Sequence, residues 1–182
     1  MAATFPGLTP VPDGTSIRAD GALPEDVFNS LLRGVEHRDE IGDLLIRRAV
    51  RLLERCCVLA VHSGHIVGWL ARGKGVVLDD VQSFSAPLEA SSIVRKVDGI
   101  DIYCGAMPSG ADSIELVQLL GDPQPGEVII APITVKNRRV AYLLGDIPGS
   151  RIPKTSQAEL REASQKAGLA FEILIMKKKI LA

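Results

Sequence analysis

The stretch VIIAPITVKNRRVAYLLGD, residues 128–146, constrains the chain more than any other, because both of its apolar runs place large side chains at odd and even positions alike. Side chains alternate between the two faces of a strand, so Ile130 and Pro132 lie on one face and Ile129, Ala131 and Ile133 on the other. A hairpin apolar on both faces needs cover on both faces, which predicts a sheet inside a layered domain. Pro132 cannot donate to a ladder, so it belongs at an edge or a bulge. Asn137 and Arg138 are read as the central turn residues, with Asn tolerating a positive backbone angle.

A core of that kind fits the length. The chain has 182 residues, of which 46% are hydrophobic, enough for one full core and with little room for a second complete domain. Residues 1–24 hold Pro6, Pro10, Pro12 and Pro24 among few large apolar side chains and read as a tail or linker. Pro24 suits the start of a short helix through Val27, Leu31 and Leu32 that ends near Gly34. The folded domain is then expected at 25–182, with that leading helix at 25–34.

Ile41, Leu44, Leu45, Ala49, Leu52, Leu53 and Cys56 recur at helical spacing and predict an amphipathic helix from Glu36 to about Arg55. Its broad apolar face fits packing against a sheet alone, or against a sheet and a partner helix on one flank. CVLAVHSGHIVGWLARG then alternates around Ser63 and Gly64 as a first hairpin. SFSAPLEA gives a strand near Phe84, a helical turn follows through Ile93 and Val94, and IDIYCGAM returns to the sheet. Asp112 and Glu115 have capping-box spacing for a short helix with Ile114, Leu116, Leu119 and Leu120, and Ser156 and Glu159 have it for a long last helix. Gly168 is an internal weakness of that helix. Phe171, Ile173, Leu174, Ile175 and Met176 cover nearly all its sides, so part of it needs a surface beyond the sheet.

These elements predict an α+β fold in three layers, a central antiparallel sheet with the long terminal helices together on one face and short helices and loops on the other. CVLAVHSGHIVGWLARG, SFSAPL with its short helix, and VIIAPITVKNRRVAYLLGD resemble the beginning, middle and end of a GAF domain, a small-ligand and protein-interaction module of signalling proteins. The resemblance spans roughly residues 36–182. It implies a ligand pocket, where one exists, between the sheet and the middle segment, and dimers built from the terminal helices. The Asn-Lys-Phe-Asp-Glu pattern of cyclic-nucleotide relatives is absent. Bilin-binding relatives often have a histidine close to the chromophore cysteine, and the GAMPSG after Cys104 has none.

Other chemistries find little support. Cys56 and Cys57 at a helix-to-strand junction point apart, and His62 and His65 sit at a hairpin tip, so they do not converge as a tetrahedral zinc site. His37 starts a helix, which leaves no pocket histidine for haem. Ser109 in PSGADS has no inferable base, Asp79 and Asp80 are read as solvent-facing loop acids in GKGVVLDD, and the glycines form no phosphate loop. No cofactor, metal or enzymatic activity is expected. With 21 basic and 22 acidic residues the net charge is -1, and aromatic residues are few, so the turn of Lys136, Arg138 and Arg139 is not expected to bind nucleic acid. Lys177, Lys178 and Lys179 suit a helix carboxyl end. Apolar runs stop well short of about 20 positions, which argues against membrane insertion. Three cysteines without a disulfide framework fit a cytoplasmic setting.

The chain is therefore expected to be a noncatalytic signalling or regulatory module that homodimerises and contacts another signalling protein or an attached domain. The expected dimer contacts are Ile41, Leu45, Leu52, Leu160, Ala163, Ala167, Phe171 and Leu174. The alternative is a small-molecule sensor whose pocket is lined near Phe84, Leu88, Ile93, Ile102, Tyr103, Leu116 and Tyr142.

Overall fold

The computed structural model describes residues 21–181; the part of the proposed linker at 1–20 lies outside them. Its elements run α1 (Glu25–Arg33), α2 (Arg38–Ala49), β1 (Arg55–His62), β2 (His65–Gly73), α3 (Leu78–Ser83), β3 (Ser85–Pro87), α4 (Ser92–Lys96), β4 (Tyr103–Gly105), α5 (Ser113–Leu120), β5 (Val128–Val135), β6 (Arg138–Asp146) and α6 (Lys154–Ile180). Six strands form one antiparallel sheet in the order β3-β2-β1-β6-β5-β4.

Strand alternation sorts the apolar residues into two layers. Cys56, Val58, Ile129, Ala131, Ile133, Ala141 and Leu143 face α1, α2 and α6, whereas Cys57, Leu59, Ile66, Val128, Ile130, Tyr142 and Leu144 face α3, α4 and α5. The three-layer arrangement is the one the two-faced hairpin requires. Pro132 pairs with Tyr142 on its inner side, while β4 covers β5 only from Val128 to Ile130, and a register shift follows at Ile133 and Thr134. The proline thus sits on an uncovered edge beside a bulge.

Several local expectations are corrected. The β5–β6 turn is centred on Lys136 and Asn137, both at positive φ, one residue earlier than read from sequence, because Val135 pairs with Arg138. Asp79 and Asp80 lie in the first turn of α3, not in a loop. In α1 the buried side chain is Phe28, while Val27 and Leu31 are exposed. Helix α2 stops at Ala49, well before Arg55. Leu52 and Leu53 turn back with their amides on the Ala49 carbonyl, since Arg55 must enter a strand paired on both sides, to Gly73 and to Asp146. Its start carries a capping box that the sequence reading missed, His37 with Glu40, whose carboxylate also accepts from the Glu36 amide at 3.0 Å.

Neither predicted capping box forms. Glu159 instead pairs with Arg48 of α2, and Asp112 turns its carboxylate to the amino end of α4, accepting from the Ser92 amide at 3.0 and 3.1 Å. Residues just ahead of α1 also pack on α2. Leu23 is buried, its amide donates to the Arg47 carbonyl, its carbonyl accepts from Arg48, and Arg47 Nε donates to the Gly21 carbonyl at 2.8 Å.

Gly168 has a positional reason. A Cβ there would lie 2.3 Å from the Thr134 carbonyl oxygen, so only glycine lets α6 cross β5 this closely. Its missing side chain sets the helix-to-sheet distance.

Candidate functional site

The first candidate is the layer between the sheet and α3–α5. Phe84, Ile93, Leu116 and Tyr142 are buried together there, with Leu88 and Tyr103 half-buried against them. Ile102, grouped with them from sequence, packs on the opposite, helical side, because alternation through the adjoining strand reverses its direction from that of Tyr103. The Tyr103 hydroxyl donates to the Ala106 carbonyl at 2.8 Å, and Lys96 Nζ stands 4.6 Å from the Tyr103 ring centre.

Polar groups sit at the edge of this layer. Asp112 is buried with its carboxylate on α4, and the hydroxyls of Ser91 and Ser92 are buried with no hydrogen-bond partner. Such groups are uncommon in native interiors. Burial raises the Tyr142 phenol above its ordinary range, with the Arg139 guanidinium acting against the shift.

The thiols are poorly placed for chemistry. Cys56 and Cys57 face opposite sides of the sheet. Burial pushes Cys57 up to about 12 and Cys56 higher still. Cys104 packs on the helical side and is pushed up to about 11, by burial first and by the Glu127 carboxylate second. None is a ready thiolate near neutral pH. Among the described residues no group of three or more histidine, cysteine or acidic side chains could hold a metal ion, and no helix is long and apolar enough to cross a membrane.

The second candidate is the helical layer. Of the residues expected at a dimer face, Ile41, Leu45, Leu160, Ala163, Ala167 and Leu174 are buried within the single chain, and Leu52 and Phe171 are half-buried. Within the chain those residues hold α2 and α6 to each other and to the sheet. Four exposed apolar residues of α6 lie elsewhere, Leu169 exposed by 53%, Ile173 by 47%, Met176 by 45% and Ile180 by 83%, while Ile175 is exposed on another side of the helix. The four recur at intervals of four, three and four residues and form one outer stripe, on the far side of the helix from Leu160, Ala163, Ala167 and Leu174. Sequence periodicity carried both stripes but not which of them meets the sheet.

Comparison with known proteins bears on the fold. No family model and no curated protein matches the sequence. Among solved structures, a methyl-accepting chemotaxis protein, residues 122 to 287, is similar at 16% identity with a TM-score of 0.66 over 83% of this chain and 98% of its own. The phycocyanobilin-bound GAF domain of a cyanobacterial phytochrome matches at 12% identity and a TM-score of 0.65, over 85% and 97% of the two chains. Free methionine-R-sulfoxide reductase from Neisseria meningitidis, solved with its substrate, matches at 14% identity and 0.61, over 84% and 88%. The chain has the GAF fold.

Proposed function

We propose that this chain is a noncatalytic regulatory module of GAF fold that works as a homodimer joined through its helical layer. The observation that carries the reading is the outer apolar stripe of α6, continuous over Leu169, Ile173, Met176 and Ile180 while the inner stripe is already packed. A helix apolar on two sides needs two surfaces, and the sheet supplies one. Val27 and Leu31 of α1, on the same side of the sheet, are exposed as well. A second copy offers a matching stripe, since a two-fold interface sets the same patch against itself.

The noncatalytic part rests on chemistry. The sulfoxide reductase among the structural neighbours raises the question of a thiol reaction, and the cysteine placed toward the front layer, Cys57, is fully buried with its pKa raised to about 12. A buried neutral thiol is a small hydrophobe, not a nucleophile.

The test is the pair Ile173→Glu and Met176→Glu, examined by sedimentation velocity. Both positions are exposed in the single chain, so the variants should fold with unchanged circular dichroism and sediment as monomers, whereas the parent sediments as a dimer. A parent that is monomeric throughout would exclude the reading.

A second reading, a small-molecule sensor, is favoured by the orphaned Ser91 and Ser92 hydroxyls beside Asp112. A ligand offering hydrogen-bonding groups to them would settle two otherwise costly buried donors. Native mass spectrometry of freshly purified protein should then show a bound small molecule that Ser92→Ala weakens; unliganded protein under all gentle conditions would count against it.

A further inference from the structure

The sheet-facing side of α6 outlasts the sheet. Its line through Ala167, Phe171 and Leu174 packs on the core, and the next position on that line is Lys178. From residue 175 to residue 180 every side chain is exposed. Beside this end of the helix Glu172 Oε1 accepts the Lys136 amide at 2.5 Å, which holds the β5–β6 turn against α6. Ile175 and Lys179 follow Glu172 by three and seven residues and fall on the same flank, while Lys177 points to the other.

Lys136, Arg138, Lys178 and Lys179 are thereby gathered at one end of the domain, all of them exposed. Among the described residues none of the four forms an ion pair, whereas Arg47, Arg48, Arg55, Arg72, Arg139 and Lys166 all do. Residues 173–181 contain no acid. The nearby Glu172 carboxylate is taken by the turn amide, and Asp98 stands 3.6 Å from Arg139. The helix dipole accounts for lysines in the last turn of α6 but not for two more cations brought beside them by a separate turn. Ile175, exposed by 40%, lies among these charges.

A helix end and a hairpin turn that carry unpaired cations around an apolar side chain match a flat anionic surface, which meets all of them at once. A cluster of four to eight basic side chains on an amphipathic helix is the pattern that binds anionic lipid. We infer that this end of the domain docks on an anionic lipid surface, with Lys136, Arg138, Lys178 and Lys179 on the headgroups and Ile175 at their boundary with the acyl chains. The contact is peripheral, since among the described residues no helix is long and apolar enough to cross a membrane. Leu169, Ile173, Met176 and Ile180 occupy a different side of α6, so the inference does not rest on the dimer.

The experiment sediments the intact protein with vesicles of phosphatidylcholine alone and of phosphatidylcholine with about 30% phosphatidylserine. Binding to the second and not to the first is expected, fading as salt rises from about 0.05 M to about 0.5 M and the Debye length shrinks. Each cation near such a surface is worth about fivefold, so Lys136→Gln with Arg138→Gln, and Lys178→Gln with Lys179→Gln, should each weaken binding by more than about tenfold. Arg51→Gln, at an exposed cation just ahead of β1 and far from the β5–β6 turn, should leave it unchanged. All five positions are on the surface, and unchanged circular dichroism checks that the variants fold. Equal binding to both vesicles, or binding untouched by either double variant, would overturn the inference. So would a parent that stays in solution with both vesicles; if it then binds soluble polyglutamate, the same cations serve an acidic protein segment instead.

Discussion

Arg55 and Asp146 stand directly opposite each other, at the first residue of β1 and the last of β6, and form a two-pronged ion pair with Nε to Oδ1 at 2.8 Å and Nη2 to Oδ2 at 2.5 Å, both residues almost wholly buried. The remaining guanidinium donors reach the carbonyls of Gly121 and Pro123 at 2.8 Å each, so the pair also fastens the end of α5 to the sheet. A buried pair of this kind adds little over an apolar substitute, but removing one partner strands a charge. Asp146→Ala should therefore cost about 3–5 kcal/mol in urea unfolding. A loss under about 1 kcal/mol would mean that Arg55 finds water or another acceptor.

Gly168 makes a second prediction that runs against helix propensity. Alanine is the better helix former by about 1 kcal/mol, yet the added methyl would meet the Thr134 carbonyl at 2.3 Å. Gly168→Ala should lower stability by about 1–3 kcal/mol, the usual cost of overpacking a tight contact. Thermal unfolding checks it, and a stabilised variant would show that α6 can move off β5.

The thiols predict a pH dependence. All three have folded pKa values raised above the ordinary 9.0, chiefly by burial. A raised value means that the folded state holds its proton when the unfolded chain has begun to lose it. Their contribution is then complete below about pH 9 and declines as the pH climbs toward the folded values. Stability measured in urea should fall from pH 8 to pH 10.5, and by less in Cys104→Ala. At neutral pH, a thiol reagent should modify Cys104 slowly and reach Cys56 and Cys57 only on unfolding.

Asp112 gives a prediction for the front layer. Its carboxylate receives the Ser92 amide with both oxygens in a buried setting. Asp112→Ala leaves that amide unsatisfied and should cost about 1–3 kcal/mol. Hydrogen exchange should speed up at residues 92–96 before it changes in the sheet. Uniform exchange throughout would mean that α4 is not held by this contact.

How much of this was legible in the sequence differs from element to element. The sheet's two-sided hairpin was legible because odd and even positions of 128–133 are both apolar, which no one-sided sheet permits. The Ser63–Gly64 turn was legible for a similar local reason, and both residues adopt positive φ. The end of α2 was not, because Leu52, Leu53 and Cys56 continue the helical spacing by chance, and the chain leaves the helix only to satisfy pairing with residues 73 and 146. The capping residues misled for a related reason: Asp112 and Glu159 have the right spacing, but distant partners compete for their carboxylates. Ile102 lies on the other side of the sheet from Phe84, Leu88, Ile93, Tyr103, Leu116 and Tyr142, a side decided by strand phase. The two sides of α6 were the hardest part, since a helix apolar all round does not say which stripe the sheet takes; Leu160, Ala163, Ala167 and Leu174 pack inward, while Leu169, Ile173, Met176 and Ile180 remain exposed.

The most direct measurement of the central claim is light scattering on the intact protein over a concentration series from low micromolar to several hundred micromolar. The account predicts a mass rising to 39.0 kDa, twice the 19.5 kDa chain, with Ile173→Glu remaining at the single-chain value. A parent mass fixed at 19.5 kDa across the whole series would contradict it.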